Sequence, residues 1–387
     1  MKSPDSSPRH GVPRALVLQG GGALGAYQAG VYQVLGAKNM APDWVAGVSI
    51  GAINAALIAG NPPARRLERL QEFWAMVSSA PSQRLPEWMG DRSSLNQFSA
   101  SVGAIMGIPG FFTPRITPAW MLGPFAPLLS YCDTEPLRQT LERMVDFRRI
   151  NTGDVRVSVG AVNVKTGNSV YFDNRLQELR PEHFMASGAL PPGFAPVEVD
   201  GEQYWDGGIV SNTPLQYVLD NHPKNRPLDV VQVDLFSARG PLPGSLPEVM
   251  DRLKDISYSS RTRMNTDLLA ANVNLQQAIA ELIAALPPEL RNDAHVKRVR
   301  QQLEHKPINI YHLIYRDKPY ECESKDHEFS RSMVQEHWQA GYHDMQATLA
   351  HPEGLMGRPQ GNGITTFDLG DADAVQVKRP ASAEASA

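Results

Sequence analysis

The chain has 387 residues, 42% of them apolar, and a formal net charge of −4. That is long enough for a sizeable core in one to three domains, and it lacks the basic field of a general nucleic-acid binder. Two cysteines, Cys132 and Cys322, are too few for a disulfide scaffold, which points to a reducing compartment.

Residues 1–13 (MKSPDSSPRHGVP) are polar and proline-rich, lack the apolar run of a secretion signal, and read as a disordered tail. No uninterrupted apolar run reaches the length of a membrane span. The expected location is cytoplasmic, with peripheral membrane contact left open because insertion of an apolar face needs little charge. From Arg14 the texture changes. ALVLQ is a short apolar run that predicts a buried strand; Gly20, Gly21 and Gly22 turn the chain; Ala26, Ala29, Gly30, Val34 and Leu35 follow at helical spacing. The pattern then repeats. WVAGV predicts a strand, Ser49 stands at its end, and GAINAALIAG predicts a helix of small residues. Two strand–turn–helix units in succession predict an α/β fold, a mostly parallel sheet with helices on its faces.

Leu67, Leu70, Phe73, Trp74 and Val77 form the apolar stripe of a helix predicted over 64–77. Residues 93–132 differ: Arg115 is their only charge, among five prolines and large apolar side chains that include Met106, Phe111, Phe112, Trp120, Met121 and Phe125. Two readings stand, an irregular insertion packed over the core or a lip over an apolar substrate site. Asp133 is placed to cap a helix through Leu137, Leu141 and Val145. VRVSVGAVNV predicts a strand pairing with 168–172, residues 181–187 a short helix, and LDVVQVDLF another buried strand. Beyond ARGPLPGSLP, residues 248–302 read as helical with a break at Pro287 and Pro288, INIYHLIY as a late strand, and 326–349 as a helix. This divides the chain into a main unit at 14–236 and a C-terminal region at 237–370, either a separate domain or the completion of the sheet. Residues 371–387 are short of large apolar side chains and read as a second disordered tail.

Three motifs carry chemistry. Gly47-Val48-Ser49-Ile50-Gly51 sets a serine at a tight strand-to-helix turn, where its oxygen is exposed and the helix N-terminus favours developing negative charge. Gly20-Gly21-Gly22-Ala23-Leu24-Gly25 offers free backbone N–H groups that bind an oxyanion. It also satisfies GxGxxG, but the acidic residue of a dinucleotide site belongs near the end of the second strand, which ends in Gly47-Val48-Ser49 instead, with Asp43 before it. No GxxxxGK[ST] pattern supports a P-loop. Asp206-Gly207-Gly208 permits a tight turn and close approach of other backbone to the carboxylate. The histidines are scattered and no CxxC is present, so no metal site is nominated.

GGGALG, GVSIG and DGG, in that order, together with ASGALPPGFAPVEVDGEQYWDGGIVSNTP, resemble the patatin-like phospholipase family over 14–236. The C-terminal region resembles the extra region of some bacterial members. The resemblance implies a three-layer patatin-like fold, with a central mostly parallel sheet and helices on both faces. It implies a serine acyl hydrolase acting on carboxylic esters of lipids or other apolar acyl esters through an acyl-enzyme, without cofactor. Ser49 is then the nucleophile and Asp206 its dyad partner. Gly20, Gly21 and Gly22 match the oxyanion-hole loop, and Gly47 and Gly51 flank the elbow. The chain departs from the family at Leu24, where the glycine loop often carries Arg or Lys, and this leaves the head group open. Acyl transfer and thioester hydrolysis on the same site remain alternatives, as does a non-catalytic lipid-binding protein.

Overall fold

The computed structural model describes residues 11–79, 103, 106–115, 129–303, 306–316, 325–351, 364–368 and 376–378. β1 (Arg14–Leu18) leads through the glycine loop into α1 (Gly25–Ala37). β2 (Trp44–Val48) leads into α2 (Ile50–Ala59), and α3 (Arg66–Val77) follows. The short strands β3 (Thr113–Pro114) and β4 (Cys132–Asp133) pair apart from the main sheet. Next come α4 (Glu135–Met144), α5 (Phe147–Thr152), β5 (Arg156–Asn163), β6 (Ser169–Asp173), α6 (Pro181–Ser187), β7 (Val197–Val199) and β8 (Glu202–Asp206). α7 (Leu215–Asp220), β9 (Leu228–Asp234), α8 (Leu246–Ala285), α9 (Pro288–Arg291) and α10 (Ala294–Leu303) follow. β10 (Ile308–Ile314), α11 (Arg331–Ala350), β11 (Ile364–Asp368) and β12 (Gln376–Lys378) end the chain order.

The main sheet runs in the order β12-β11-β10-β9-β1-β2-β5-β8-β7, with β6 also on β5. From β11 to β5 every pairing is parallel, and those at the two flanks are antiparallel. β1 lies at the centre between β9 and β2, and Ala15 to Leu18 are wholly buried. A strand covered on both faces needs an unbroken apolar run rather than alternation, which is what ALVL supplies. The period of two survives in the choice of face. Leu16, Leu18 and Val45 pack with α1, α2 and α3, whereas Ala15, Val17, Trp44 and Ala46 pack with Leu215 and Val218 of α7. Helices therefore cover both faces of a mostly parallel sheet, a three-layer α/β architecture.

The C-terminal region joins these layers. β10 extends the sheet beside β9 in register from Ile308↔Leu228 to Ile314↔Asp234. α11 lies along α1, where Tyr27 Oη donates to Asp344 at 2.6 Å and Trp338 Nε1 donates to Gln33 at 2.6 Å. Its start differs from the sequence expectation. α11 begins at Arg331 rather than Asp326 because Ser330 caps it, Oγ accepting the Met333 N–H. Residues 325–330 are thereby left outside any helix. Within the stretch read as a disordered C-terminal tail, Gln376–Lys378 forms an edge strand, with Val377 opposite Phe367. Of the apolar 93–132 stretch, Trp120, Met121 and Phe125 lie outside the described residues. No helix among the described residues is long and apolar enough to cross a membrane.

Candidate active site

β2 ends at Val48 and α2 starts at Ile50, so Ser49 alone makes the reversal, at φ 55° and ψ −124°. That backbone is strained for a residue with a side chain and persists only where its surroundings enforce it. The enforcement is steric. A Cβ on Gly47 would lie 2.3 Å from the Gly51 carbonyl oxygen, and one on Gly51 would lie 2.4 Å from that of Leu18, so the turn closes only with hydrogen at both positions. It is also polar. Ser187, at the end of α6, accepts the Ser49 N–H at 2.9 Å and donates to the Gly160 carbonyl of β5 at 2.6 Å. The Ser49 side chain is left facing a cavity at the head of α2.

Strand register brings Asp206 to the same level. Val48 pairs with Gly160, and the next residue of β5, Ala161, pairs with Asp206 at the end of β8. Asp206 is only 3% exposed. Burial pushes its carboxyl up from 3.8 to about 6, against the opposing pull of the nearby Ser49 and of the Gly208 N–H. The Gly208 bond is 2.7 Å long, and the Asp206 N–H is tied to the Ala189 carbonyl at 3.0 Å. The DGG turn thus supplies a donor to one carboxylate oxygen, and the strand fixes the backbone.

The glycine loop lies at the carboxyl end of β1. Asn212 clasps its first residue from both sides, Nδ2 donating to the Gly20 carbonyl at 2.9 Å and its own carbonyl accepting the Gly20 N–H at 3.2 Å. Gln19 anchors the root, its Oε1 accepting the N–H groups of Leu235 at 2.5 Å and Phe236 at 3.1 Å. Ala23 donates its N–H to the Asp326 carbonyl at 2.8 Å. Among the described residues, no group accepts the N–H of Gly21 or Gly22, which both line the cavity beside Ser49.

The cavity has a volume of about 470 Å³, and its floor is Ser49, Asp206 and the glycine loop. Its walls are apolar. Phe112 and Phe194 meet at 5.2 Å between ring centroids, Phe111 and Phe329 at 6.0 Å, and Phe236 and Tyr258 at 4.9 Å. Phe111 and Phe112 come from the apolar 93–132 stretch, so this part of it lines the cavity. Cys132 also lines it, but burial pushes its thiol up and keeps it in the less nucleophilic neutral form. His327 stands at the rim, yet among the described residues no histidine hydrogen-bonds to Ser49 or Asp206. No cluster of three or more potential metal ligands is found among the described residues.

Several residues of the site carry no sequence signal as single positions. Ser187 and Asn212 both stand inside the stretch ASGALPPGFAPVEVDGEQYWDGGIVSNTP, near its two ends, but nothing marks either as a single position. Tyr258, Asp326, His327 and Phe329 arrive from the C-terminal region, carried in by α8 and the segment before α11, and Phe236 comes from just past the end of β9.

The family model described as patatin-like phospholipase matches residues 16–219, just over half of the chain. A second model, described as patatin phospholipase, matches residues 256–360. No curated protein matches the chain. Among solved structures, VipD from Legionella pneumophila is 14% identical, with 87% of this chain and 68% of that chain covered, at a TM-score of 0.36. A chain of full-length SpcU in complex with full-length ExoU, from the type III secretion system of Pseudomonas aeruginosa, is 15% identical, with coverages of 87% and 78% and a TM-score of 0.28.

Proposed function

The chain belongs to the patatin-like phospholipase family and is a lipid hydrolase; on that premise we propose that Ser49 is the nucleophile and Asp206 the general base of a serine–aspartate dyad cleaving carboxylic esters through an acyl-enzyme. The observation that carries this reading is the level placement of the two residues by strand register, with both lining one cavity beside the glycine loop.

The chemistry follows from the groups at hand. Asp206 takes the hydroxyl proton of Ser49 as its oxygen attacks the ester carbonyl. An aspartate at its ordinary value is a weak base near neutrality. Burial that lifts the carboxyl to about 6 narrows the gap to the operating pH. The unengaged N–H groups of Gly21 and Gly22 receive the tetrahedral oxyanion, and Gly20 serves as the residue small enough to pass between Asn212 and Ser49. Protonated Asp206 returns its proton to the leaving alcohol, and water releases the acyl group by the same path. The apolar cavity holds the acyl chain, and contact with a lipid surface follows from that substrate class. Transfer to an alcohol acceptor and thioester cleavage would use the same groups.

A fluorophosphonate probe tests the assignment. Labelling at Ser49 that is lost in Ser49→Ala, with loss of ester turnover, is the expected result. Labelling at another serine with turnover intact would overturn it. Product identification across acyl lipids, p-nitrophenyl esters and acyl thioesters separates hydrolysis from transfer.

A further inference from the structure

The glycine loop does not hold its shape alone. Ala23 gives its N–H to the Asp326 carbonyl at 2.8 Å. Gly22, at φ +53°, passes so close beneath that carbonyl that a Cβ on it would lie 2.0 Å from the oxygen. Asp326 belongs to the C-terminal region and sits in residues 325–330, which no helix or strand contains. Charge fixes the segment instead. Lys254 of α8 meets the Asp326 carboxylate at 2.7 Å, and one residue along, in the opposite sense, Asp255 meets the buried Lys325 at 2.7 Å. Two adjacent pairs of reversed polarity oppose slippage, since a shift by one residue sets like charge against like. The other end of the segment is wedged by Phe329, stacked on Trp74 at 6.4 Å and against Phe111 at 6.0 Å.

We propose that residues 325–329 are a positioning element for the oxyanion loop: the Asp326 carbonyl holds Ala23 so that the Gly21 and Gly22 N–H groups point at the reacting carbonyl, and the ion pairs with Lys254 and Asp255 hold Asp326 in place. The inference rests on the Ser49 reading above and gives the C-terminal region a role in the reaction. Donors aimed at the oxyanion matter in the transition state more than in the ground state, so their misalignment lowers kcat and leaves KM nearly unchanged.

The test uses full-length enzyme and a p-nitrophenyl ester, with kcat expressed per fluorophosphonate-titratable site so that unfolded molecules drop out. Lys254 does not line the cavity, which makes it the residue to change. Lys254→Met and Lys254→Asp are expected to lose about tenfold to a hundredfold in kcat with KM within about threefold. The double variant Lys254→Asp/Asp326→Lys restores the pair with its polarity reversed and is expected to recover most of the loss. Unchanged kcat per site in folded Lys254→Met overturns the proposal, as does a loss that the double variant fails to recover. Ser49→Ala, assayed on the same ester per mole of protein shown to be folded, keeps the two readings apart. If it retains turnover, the nucleophile assignment falls and this inference with it; if it is inactive while Lys254→Met is fully active, only the positioning role falls.

Discussion

Ser187 ties the strained backbone of Ser49 to the sheet: its Oγ accepts the Ser49 N–H at 2.9 Å and donates to the Gly160 carbonyl at 2.6 Å. Ser187 is buried, so its removal leaves the part-buried Ser49 N–H and the buried Gly160 carbonyl without that partner. Ser187→Ala is expected to destabilise the fold by about 1–3 kcal/mol and to lower kcat more than it raises KM, because the turn that aims Ser49 loosens. Chemical denaturation and steady-state kinetics check the two halves. Full kcat with reduced stability would confine Ser187 to a structural role.

If Asp206 is the base proposed above, one titration links activity and stability. Its folded carboxyl value of about 6 lies above the ordinary 3.8, so the fold favours the protonated form. The stability it contributes is fully present below 3.8 and is lost as pH rises through about 6. Asp206→Asn, which keeps an acceptor for the Gly208 N–H, is therefore expected to be more stable than the parent above that pH, by up to ~3 kcal/mol, with the gain vanishing in acid. The same group predicts that parental kcat/KM rises with pH along a limb centred near 6, and that the variant has almost no turnover. A variant no more stable than the parent at neutral pH would count against the burial argument. A parental profile flat through that range would count against Asp206 as the base.

What was legible in the sequence shares one physical trait. The elbow, the glycine loop and the DGG turn are local devices, in which residues needed together stand together: Gly47 and Gly51 make room for Ser49, and Gly208 supplies the donor to Asp206. The sheet was legible for the same reason, since a buried central strand must be an unbroken apolar run such as ALVL. Ser187, Asn212 and Asp326 act on residues far away in the chain, and no local pattern tells which residue each will hold. Lys254, Asp255, Lys325 and Asp326 look like ordinary surface charges until α8 and the segment before α11 are set side by side. α11 starts later than the apolar spacing predicts because that spacing continues back through Phe329, a residue that packs against Trp74 from outside the helix.

The aromatic wall bears on substrate length. Phe112 lies 5.2 Å from Phe194 between ring centroids on the side of the cavity built from the apolar 93–132 stretch. Each acyl methylene buried there contributes about 0.8 kcal/mol, so a charge in the wall weakens long chains more than short ones. Phe112→Asp is expected to shift kcat/KM toward short p-nitrophenyl esters, measured over a chain-length series after a check that the variant folds. Equal losses at every chain length would assign Phe112 to packing alone.

The last relationship lies behind the glycine loop, where His312 of β10 meets Asp234 of β9 at 2.6 Å. Burial alone lowers the imidazole, but the charge and hydrogen bond of Asp234 outweigh it, and the net direction is upward from 6.5; Asp368 adds to the rise and Arg316 opposes it. A histidine raised in the folded state contributes stability that is fully present below its ordinary value and lost as pH climbs through the folded one. Asp234 in turn accepts from Thr213 at 3.1 Å, and Thr213 accepts from Gln19 at 3.0 Å, so the pair is joined to the root of the loop. His312→Gln is therefore expected to lower stability by about 1.5–3 kcal/mol on the acid side, the range for a hydrogen bond between charged partners. The deficit shrinks as pH rises, in thermal or urea unfolding followed from about pH 5 to about pH 9. A deficit of constant size across that range would mean that packing around the ring, not its charge on Asp234, joins the β9–β10 edge to the loop.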